Sequence, residues 1–146
     1  MSTVEAPAAT AGREQSGSEE RTRILVRDGI PGFPGLHDWE LLVDAEIDPL
    51  MWFAAADGGD TRLLVLDPRH VEPSYAPKFG PPALEAVGAA PDDPLVVLGV
   101  VNVEPDGSAT INLRAPLLIC PRTMRGAQVI LDRSDLSMRH PIEVGG

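Results

Sequence analysis

The chain has 146 residues, including six aromatic residues and a single cysteine, and it carries a formal net charge of −10. This length fits one domain that can bury a core without disulfides, and the lone Cys120 excludes a disulfide framework or a site of several thiolates. The acidity argues against general nucleic-acid binding, which selects for Lys and Arg. No apolar run approaches the length of about 18 residues that a membrane span needs, and residues 1–20 lack the apolar segment of a signal peptide, so we expect a cytoplasmic protein.

The order of the elements predicts a mainly β fold. Residues 1–22 are rich in Ala, Ser, Gly and Glu, which predicts a disordered tail, and residues 23–146 are predicted to form the folded domain. Short apolar runs divided by Gly, Pro and Asp are typical of antiparallel strands and their turns. The predicted strands are Ile24–Val26, Trp39–Val43, Leu50–Ala56, Arg62–Leu66, Leu95–Val103, Ser108–Arg114, Leu117–Cys120, Thr123–Leu131 and Arg139–Val144. With Ala83–Ala90 as the one short helix, we predict a small antiparallel β-barrel-like domain behind a disordered N-terminal tail.

Several local patterns add detail to this prediction. Asp57–Asp60 supplies turn residues for a hairpin, and Gly126 is a predicted bulge in its strand. The loop Gly29–Gly35 (GIPGFPG) can be a rigid corner over the core, or it can present Phe33 to a partner. Asn112 and Arg114 are predicted to share one strand face, and Pro116 is predicted to leave a sheet edge where a partner could dock.

The charge is unevenly distributed along the sequence. Residues 38–106 hold fourteen acidic and three basic residues, a net −11, whereas residues 107–146 hold three acidic residues and five Arg, a net +2. The imbalance can serve solubility alone, or it can steer the protein toward a basic partner. The Arg residues of the C-terminal part can face another chain or balance the acidic residues 38–106 within this one.

No residue pattern of a catalytic, cofactor or metal site is found. His37, His70 and His140 lie far apart in sequence, outside the short spacings that zinc ligands usually show. Cys120 lies in an apolar strand pattern, where a thiol is usually inert packing. We therefore predict no catalytic residues, no cofactor and no metal, and a protein that is not an enzyme.

Six segments resemble, in the same order, the motifs of the flagellar assembly factor FliW family. Gly29–Phe33 (GIPGF) is similar to its GLPGF signature, and Thr110–Ile119 (TINLRAPLLI) is similar to its T-x-N-L-x-A-P-x-x-I block. The other four are Pro49–Phe53, Leu66–Pro68 with Pro73–Tyr75, Gly126–Leu131 and Arg139–Ile142. One motif alone would be weak, but this ordered set covers about Ile24 to Ile142 and is specific.

The resemblance implies a function in protein binding. Members of that family have a small β-barrel-like fold, are not enzymes, and bind flagellin in the cytoplasm in a chaperone-like way. They also bind the translational repressor CsrA, in competition with flagellin, and so relieve the repression of flagellin translation. The resemblance thus implies flagellin and a CsrA-type regulator as partners, with no direct contact to nucleic acid or membrane.

Four residues are predicted near the partner-binding surface: Phe33, Asn112, Arg114 and Gln128. A double variant, Asn112→Ala with Arg114→Ala, is expected to weaken binding while leaving the melting temperature almost unchanged. Two alternatives from other classes stay open on the sequence. The Val-rich strands could form a barrel that encloses a small ligand, or the chain could be a structural interaction subunit without a flagellar role.

Overall fold

The computed structural model describes residues 19–56 and 60–142, and within them it contains nine β-strands and one short α-helix. The strands are β1 Glu19–Leu25, β2 Asp38–Asp44, β3 Met51–Ala55, β4 Arg62–Leu66, β5 Val96–Val103, β6 Ala109–Ile111, β7 Leu117–Cys120, β8 Arg125–Gln128 and β9 His140–Ile142. A 3₁₀ turn at Pro68–His70 and the helix α1, Pro81–Ala86, lie between β4 and β5. In this described part of the chain, no helix is long and apolar enough to cross a membrane.

Seven of the strands close into a barrel. They are hydrogen-bonded in the order β4, β3, β2, β1, β8, β7 and β5, and β5 pairs back onto β4. Neighbouring strands are antiparallel except β1 and β8, which are parallel and share the pair Leu25↔Arg125. β6 and β9 extend from the C-terminal end of β5 as a short antiparallel arm. The prediction of a mainly β, barrel-like domain with one short helix is confirmed.

The barrel interior is filled by aromatic and aliphatic side chains. Trp39 on β2 is fully buried and stacks on Phe53 of β3, with ring centroids 5.0 Å apart and an interplanar angle of 6°. The Trp39 indole N–H donates to the carbonyl of Leu36 at 3.0 Å, so its polar atom is satisfied. Val65 on β4 and Leu98 on β5 belong to the same cluster. Each occupies an inward-facing position, and such positions recur every second residue along a strand.

The loop of residues 29–35 packs over this core. Ile30 is buried, and the Phe33 ring meets Trp39 edge-on, with centroids 6.1 Å apart. Gly29 and Gly32 have φ angles of +72° and +94°, which glycine adopts without the strain that other residues would suffer. The structure therefore supports the interpretation of this loop as a corner over the core, although Phe33 remains partly exposed.

Two further apolar clusters lie outside the barrel. In the first, Leu66 of β4 and Val101 of β5 pack with Tyr75 and Leu113. In the second, Val87 and neighbouring residues of α1 pack with Leu118, Cys120 and Ala127 on β7 and β8. The first cluster forms the base of the candidate functional site.

The barrel begins earlier in the sequence than predicted. Arg21 and Thr22 pair with Leu42 and Leu41 of β2, so residues 19–22 belong to the first strand and not to the tail. The polar composition of this segment hid the strand, because only alternate positions of β1 need apolar side chains. Residues 1–18 of the predicted tail and residues 57–59 of the predicted hairpin turn lie outside the described residues, whereas the antiparallel pairing of β3 with β4 is observed.

The helix is also displaced from its predicted position. α1 covers Pro81–Ala86 instead of Ala83–Ala90. Pro fits the first turn of a helix, where its missing N–H has no partner to lose. Gly88, at a φ angle of +67°, lies just after the helix and turns the chain away.

The predicted strand Ser108–Arg114 is wrong in its second half. β6 ends at Ile111 because the Asn112 Oδ1 atom accepts the backbone N–H groups of Arg114 and Ala115, both at 3.0 Å, which folds the chain into a turn. Asn112 and Arg114 therefore do not share a strand face. Pro116 does not leave an open edge either, because it is fully buried and its carbonyl accepts the N–H of Val129 at 2.9 Å.

The predicted bulge at Gly126 is absent from β8. Pairing between β7 and β8 runs without interruption from Leu117↔Gln128 to Cys120↔Arg125. A Cβ atom on Gly126 would lie 3.0 Å from Cγ2 of Ile24. Glycine is therefore used here to let β1 approach β8 closely.

Candidate partner-binding groove

Three of the motif segments meet on the outside of the barrel. The Tyr75 hydroxyl donates a buried hydrogen bond of 2.7 Å to the carbonyl of Leu113, which joins the segment around Pro73–Tyr75 to Thr110–Ile119. The pair Ile111↔His140 then joins Thr110–Ile119 to the segment at Arg139–Ile142. Segments far apart in sequence thus form one continuous surface.

An open groove of about 440 Å³ lies at this junction, and we call it the Tyr75 groove. It is lined by the buried side chains of Tyr75 and Leu113, by the loop of residues 72–77 and by the loop of residues 133–137. Its charged or titratable side chains besides Tyr75 are Glu72, Arg133, Asp135 and His140.

Hydrogen bonds lower the pKa values of both carboxyl groups in the groove. Arg133 donates to Asp135 through two bonds, Nε to Oδ1 at 2.8 Å and Nη2 to Oδ2 at 2.7 Å, which lower the pKa of Asp135 below its usual range. The Ser74 hydroxyl donates to Glu72 at 2.6 Å and lowers the pKa of that carboxyl group. Both carboxylates are therefore ionised at neutral pH.

Arg114 fixes one side of the groove from within the protein. Its guanidinium donates to the carbonyls of Leu136 at 2.9 Å and Ser134 at 3.0 Å. Its own carbonyl accepts the N–H of Leu131 at 2.8 Å, at the start of the same loop. The forked donor geometry of arginine suits two carbonyls at once, so this side chain holds the loop of residues 132–136 in place.

Two of the other predicted site residues also have internal contacts. The Gln128 side-chain Nε2 donates to the carbonyl of Ala115 at 3.0 Å, so it supports the chain segment that Asn112 turns and Arg114 anchors. Phe33 instead belongs to the barrel-core cluster around Trp39. The structure thus brings Asn112, Arg114 and Gln128 to one segment and places Phe33 in the core cluster; contact of all four with a partner stays a prediction.

Sequence reasoning missed the residues that line the groove itself. Tyr75 was quoted within a motif but was given no role, and its hydrogen bond to Leu113 could not be inferred from spacing. Glu72, Arg133 and Asp135 lie in polar loops, where a charged residue gives no signal beyond solubility. The one available signal was that Tyr75 lies within a motif segment.

Ion pairs join the basic C-terminal part to the acidic middle of the chain. Arg122 donates to Asp93 with its Nη2 atom 2.9 Å from Oδ2, and Arg139 reaches Glu104 at 3.4 Å. For these two arginines the structure supports charge balance within the chain. The Arg139–Glu104 pair is exposed and contributes little to stability, whereas Arg122 donates to Asp93 through both Nε and Nη2.

The sole tyrosine of the sequence gives this site a pH-dependent signature. Burial raises the pKa of Tyr75 from 10.0 to about 12, because ionisation would place a charge in an apolar cluster. A raised pKa in the folded state means that its contribution to stability is complete below pH 10 and is lost as the pH rises toward 12. In a pH-jump measurement, the tyrosinate absorbance of the native protein should show a midpoint near 12, against 10 in urea.

The Tyr75→Phe variant is the control for this titration, since it should show no tyrosinate signal and a weaker fall in stability above pH 10. A native midpoint near 10 would contradict the burial of the hydroxyl.

No metal site is formed in the part of the chain that the structure describes. No group of three or more His, Cys, Asp or Glu side chains converges there. His37 faces the carbonyl of Val26, with its Nδ1 atom 3.1 Å away. Cys120 is fully buried in the cluster under α1.

Comparisons with known proteins agree with one another. A family model described as FliW protein matches residues 9–142 of the chain. The flagellar assembly factor FliW of Thermotoga neapolitana is 36% identical over 119 residues, which cover 80% of this chain and 80% of the relative. The protein of the same name from Syntrophotalea carbinolica is 36% identical over 121 residues, which cover 82% of this chain and 85% of the relative.

A solved structure, described as the crystal structure of the flagellar assembly factor FliW, has the same fold. It matches with a TM-score of 0.74 at 22% sequence identity, over 82% of this chain and 84% of that chain. At this level of identity the likeness supports the barrel architecture, whereas the two relatives above carry the argument about the family.

Proposed function

We propose that this chain, which belongs to the FliW family of flagellar assembly factors, binds flagellin and a CsrA-type translational regulator one at a time. The two partners compete for the protein in the cytoplasm. When flagellin is exported, the protein is free to bind the regulator, and repression of flagellin translation is relieved. The mechanism is mutually exclusive binding, and it needs no covalent step, no cofactor and no direct contact with RNA.

The observation that carries this proposal is the 36% identity over about four-fifths of both chains. The geometry supports it, because motif segments that are distant in sequence converge on one accessible groove. A function in protein binding explains such an exposed, polar-lined surface better than a function inside the barrel does.

The small-ligand barrel is disfavoured by the barrel interior. Trp39, Phe53 and Leu98 are fully buried there, and among the described residues no polar or charged residue is buried. A ligand cavity needs a few polar groups that orient the ligand. The groove that does exist lies outside the barrel and is open.

Isothermal titration calorimetry with the host's flagellin and CsrA-type regulator tests the proposal. We expect saturable heat with each partner alone, from an interface of about 1,200–2,000 Å². Prior saturation with flagellin should abolish the heat of regulator binding, because the two exclude each other. Simultaneous binding would refute the exclusion, and heat with neither partner would favour a structural subunit without a flagellar role.

A further inference from the structure

We propose that the Tyr75 groove binds a basic, extended segment of the RNA-binding regulator, with the Glu72 carboxylate as its ion-pair acceptor. The inference rests on the proposed function and deepens it, since it assigns a surface of this chain to one of the two partners. A protein that binds RNA must expose Lys and Arg to the phosphates, and the groove offers chemistry that suits such a segment.

Glu72 supplies a carboxylate that forms no ion pair within the described residues, although the charged form of His140 contributes to lowering its pKa. Arg133 is engaged by Asp135 through two short hydrogen bonds, whereas the side chain of Glu72 accepts a bond from the Ser74 hydroxyl. Glu72 takes part in no ion pair within residues 19–56 and 60–142, and this includes His140, which also lines the groove. An incoming Lys or Arg side chain therefore has no ion pair to displace at this carboxylate.

The groove is preformed. Its sides are fixed by the hydrogen bond from Tyr75 to Leu113 and by the two bonds from Arg114 to the loop of residues 132–136. A volume of about 440 Å³ accommodates a few side chains of an extended segment. Because these sides are already ordered, binding has a lower entropic cost.

Exposed apolar side chains flank the same loop in sequence. Ile130 is 71% exposed and Met138 is 53% exposed, and they stand just before Leu131 and just after Ser137. An ion pair at a solvent-exposed rim contributes little by itself. Apolar contacts to Ile130 and Met138, which neighbour this loop in sequence, would supply burial on which affinity depends.

The same arrangement accounts for the exclusion of RNA without any contact to RNA. The chain carries a net charge of −10, which attracts a basic partner over distance and speeds association. A basic segment held at Glu72 is no longer available to phosphates. The acidic chain would also repel RNA from the surface beside it.

Charge reversal at Glu72 tests this inference. The Glu72→Lys variant of the full chain should bind the regulator about tenfold more weakly in titration calorimetry, because like charges would meet at the contact. Glu85→Lys on α1 is the matched control, since Glu85 is exposed on another face and forms no ion pair in the described part of the chain. Equal losses in both variants would overturn the inference, because total charge would then explain them.

Two variants that introduce a bulky side chain test the inference independently of charge. Ala76 is exposed and lines the groove, so Ala76→Trp should block it and abolish regulator binding. Ala45→Trp places the same side chain at an exposed position of the β2–β3 turn and should leave binding unchanged. Circular dichroism spectra like that of the unmodified chain confirm that both variants fold.

The outcomes separate this inference from the function on which it rests. An unmodified chain that gives no heat with the regulator would refute the proposed function. Binding by the unmodified chain, with the same affinity in Glu72→Lys and Ala76→Trp, would refute the groove assignment alone. A larger loss with flagellin than with the regulator would assign the groove to flagellin and overturn the inference.

Discussion

Replacing Trp39 with alanine is expected to lower the free energy of unfolding by about 3–5 kcal/mol. The side chain is fully buried, stacks on Phe53 and meets Phe33 edge-on, so its removal leaves a cavity inside the barrel. The carbonyl of Leu36 also loses the indole N–H that donates to it at 3.0 Å. Since single domains are stable by about 5–15 kcal/mol, this one change removes a large share of the total.

Urea unfolding followed by circular dichroism measures this loss, and Trp52 provides a matched control. Trp52 is the other tryptophan, partly exposed on β3, with the Arg62 guanidinium 3.9 Å from its ring centroid. Trp52→Ala should lower the free energy of unfolding by only about 1 kcal/mol, because part of the ring already contacts water. Equal losses for the two alanine variants would contradict the conclusion that Trp39 contributes more to stability than Trp52. If Trp39→Ala does not fold, the same unfolding measurement is made on Trp39→Phe, which keeps an aromatic ring.

The strands could be predicted because their signals are local. The run Leu117–Cys120 was predicted as a strand and is observed as β7, and Trp39–Val43 lies within β2. Leu95–Val103 was predicted from its continuous apolar character and is observed as β5 from Val96 onward. Each signal depends on a few neighbouring residues, either on alternation or on an apolar run bounded by turn residues.

The features that could not be predicted depend on residues that are distant in sequence. β1 and β8 pair through Leu25↔Arg125, which helps to close the barrel. A local sequence pattern predicts a strand but does not predict which other strand it pairs with. The Tyr75 groove likewise exists because Tyr75 bonds to the carbonyl of Leu113. The position of a groove follows from topology, so sequence could indicate that the motif segments matter without showing where they meet.

Polar residues were the hardest to interpret from sequence. Asn112, Arg114 and Gln128 were predicted as partner contacts, and the structure shows that each one bonds to backbone atoms of this chain. A polar side chain that donates to a carbonyl of its own chain cannot be distinguished by sequence from one that binds another protein. Only the folded chain shows which carbonyls need a donor.

Replacing Arg114 with methionine is expected to release the loop of residues 132–136 and to lower the free energy of unfolding by about 2 kcal/mol. Methionine keeps an apolar stem but cannot donate to the carbonyls of Leu136 and Ser134, which Arg114 reaches at 2.9 and 3.0 Å. Amide hydrogen exchange should therefore accelerate in this loop beyond the change in global stability. The earlier expectation that removing the Asn112 and Arg114 side chains leaves the melting temperature almost unchanged is thereby revised.

Arg139→Met is the control that separates the anchoring of the loop from the loss of a positive charge. Arg139 reaches Glu104 at 3.4 Å on the surface, and an exposed pair of this kind contributes less than about 1 kcal/mol. A loss for Arg114→Met no larger than for Arg139→Met would show that other contacts hold the loop. Because the loop forms one side of the Tyr75 groove, its release should also weaken regulator binding in a variant that is still folded. Undiminished binding with a released loop would place the partner surface elsewhere on the barrel.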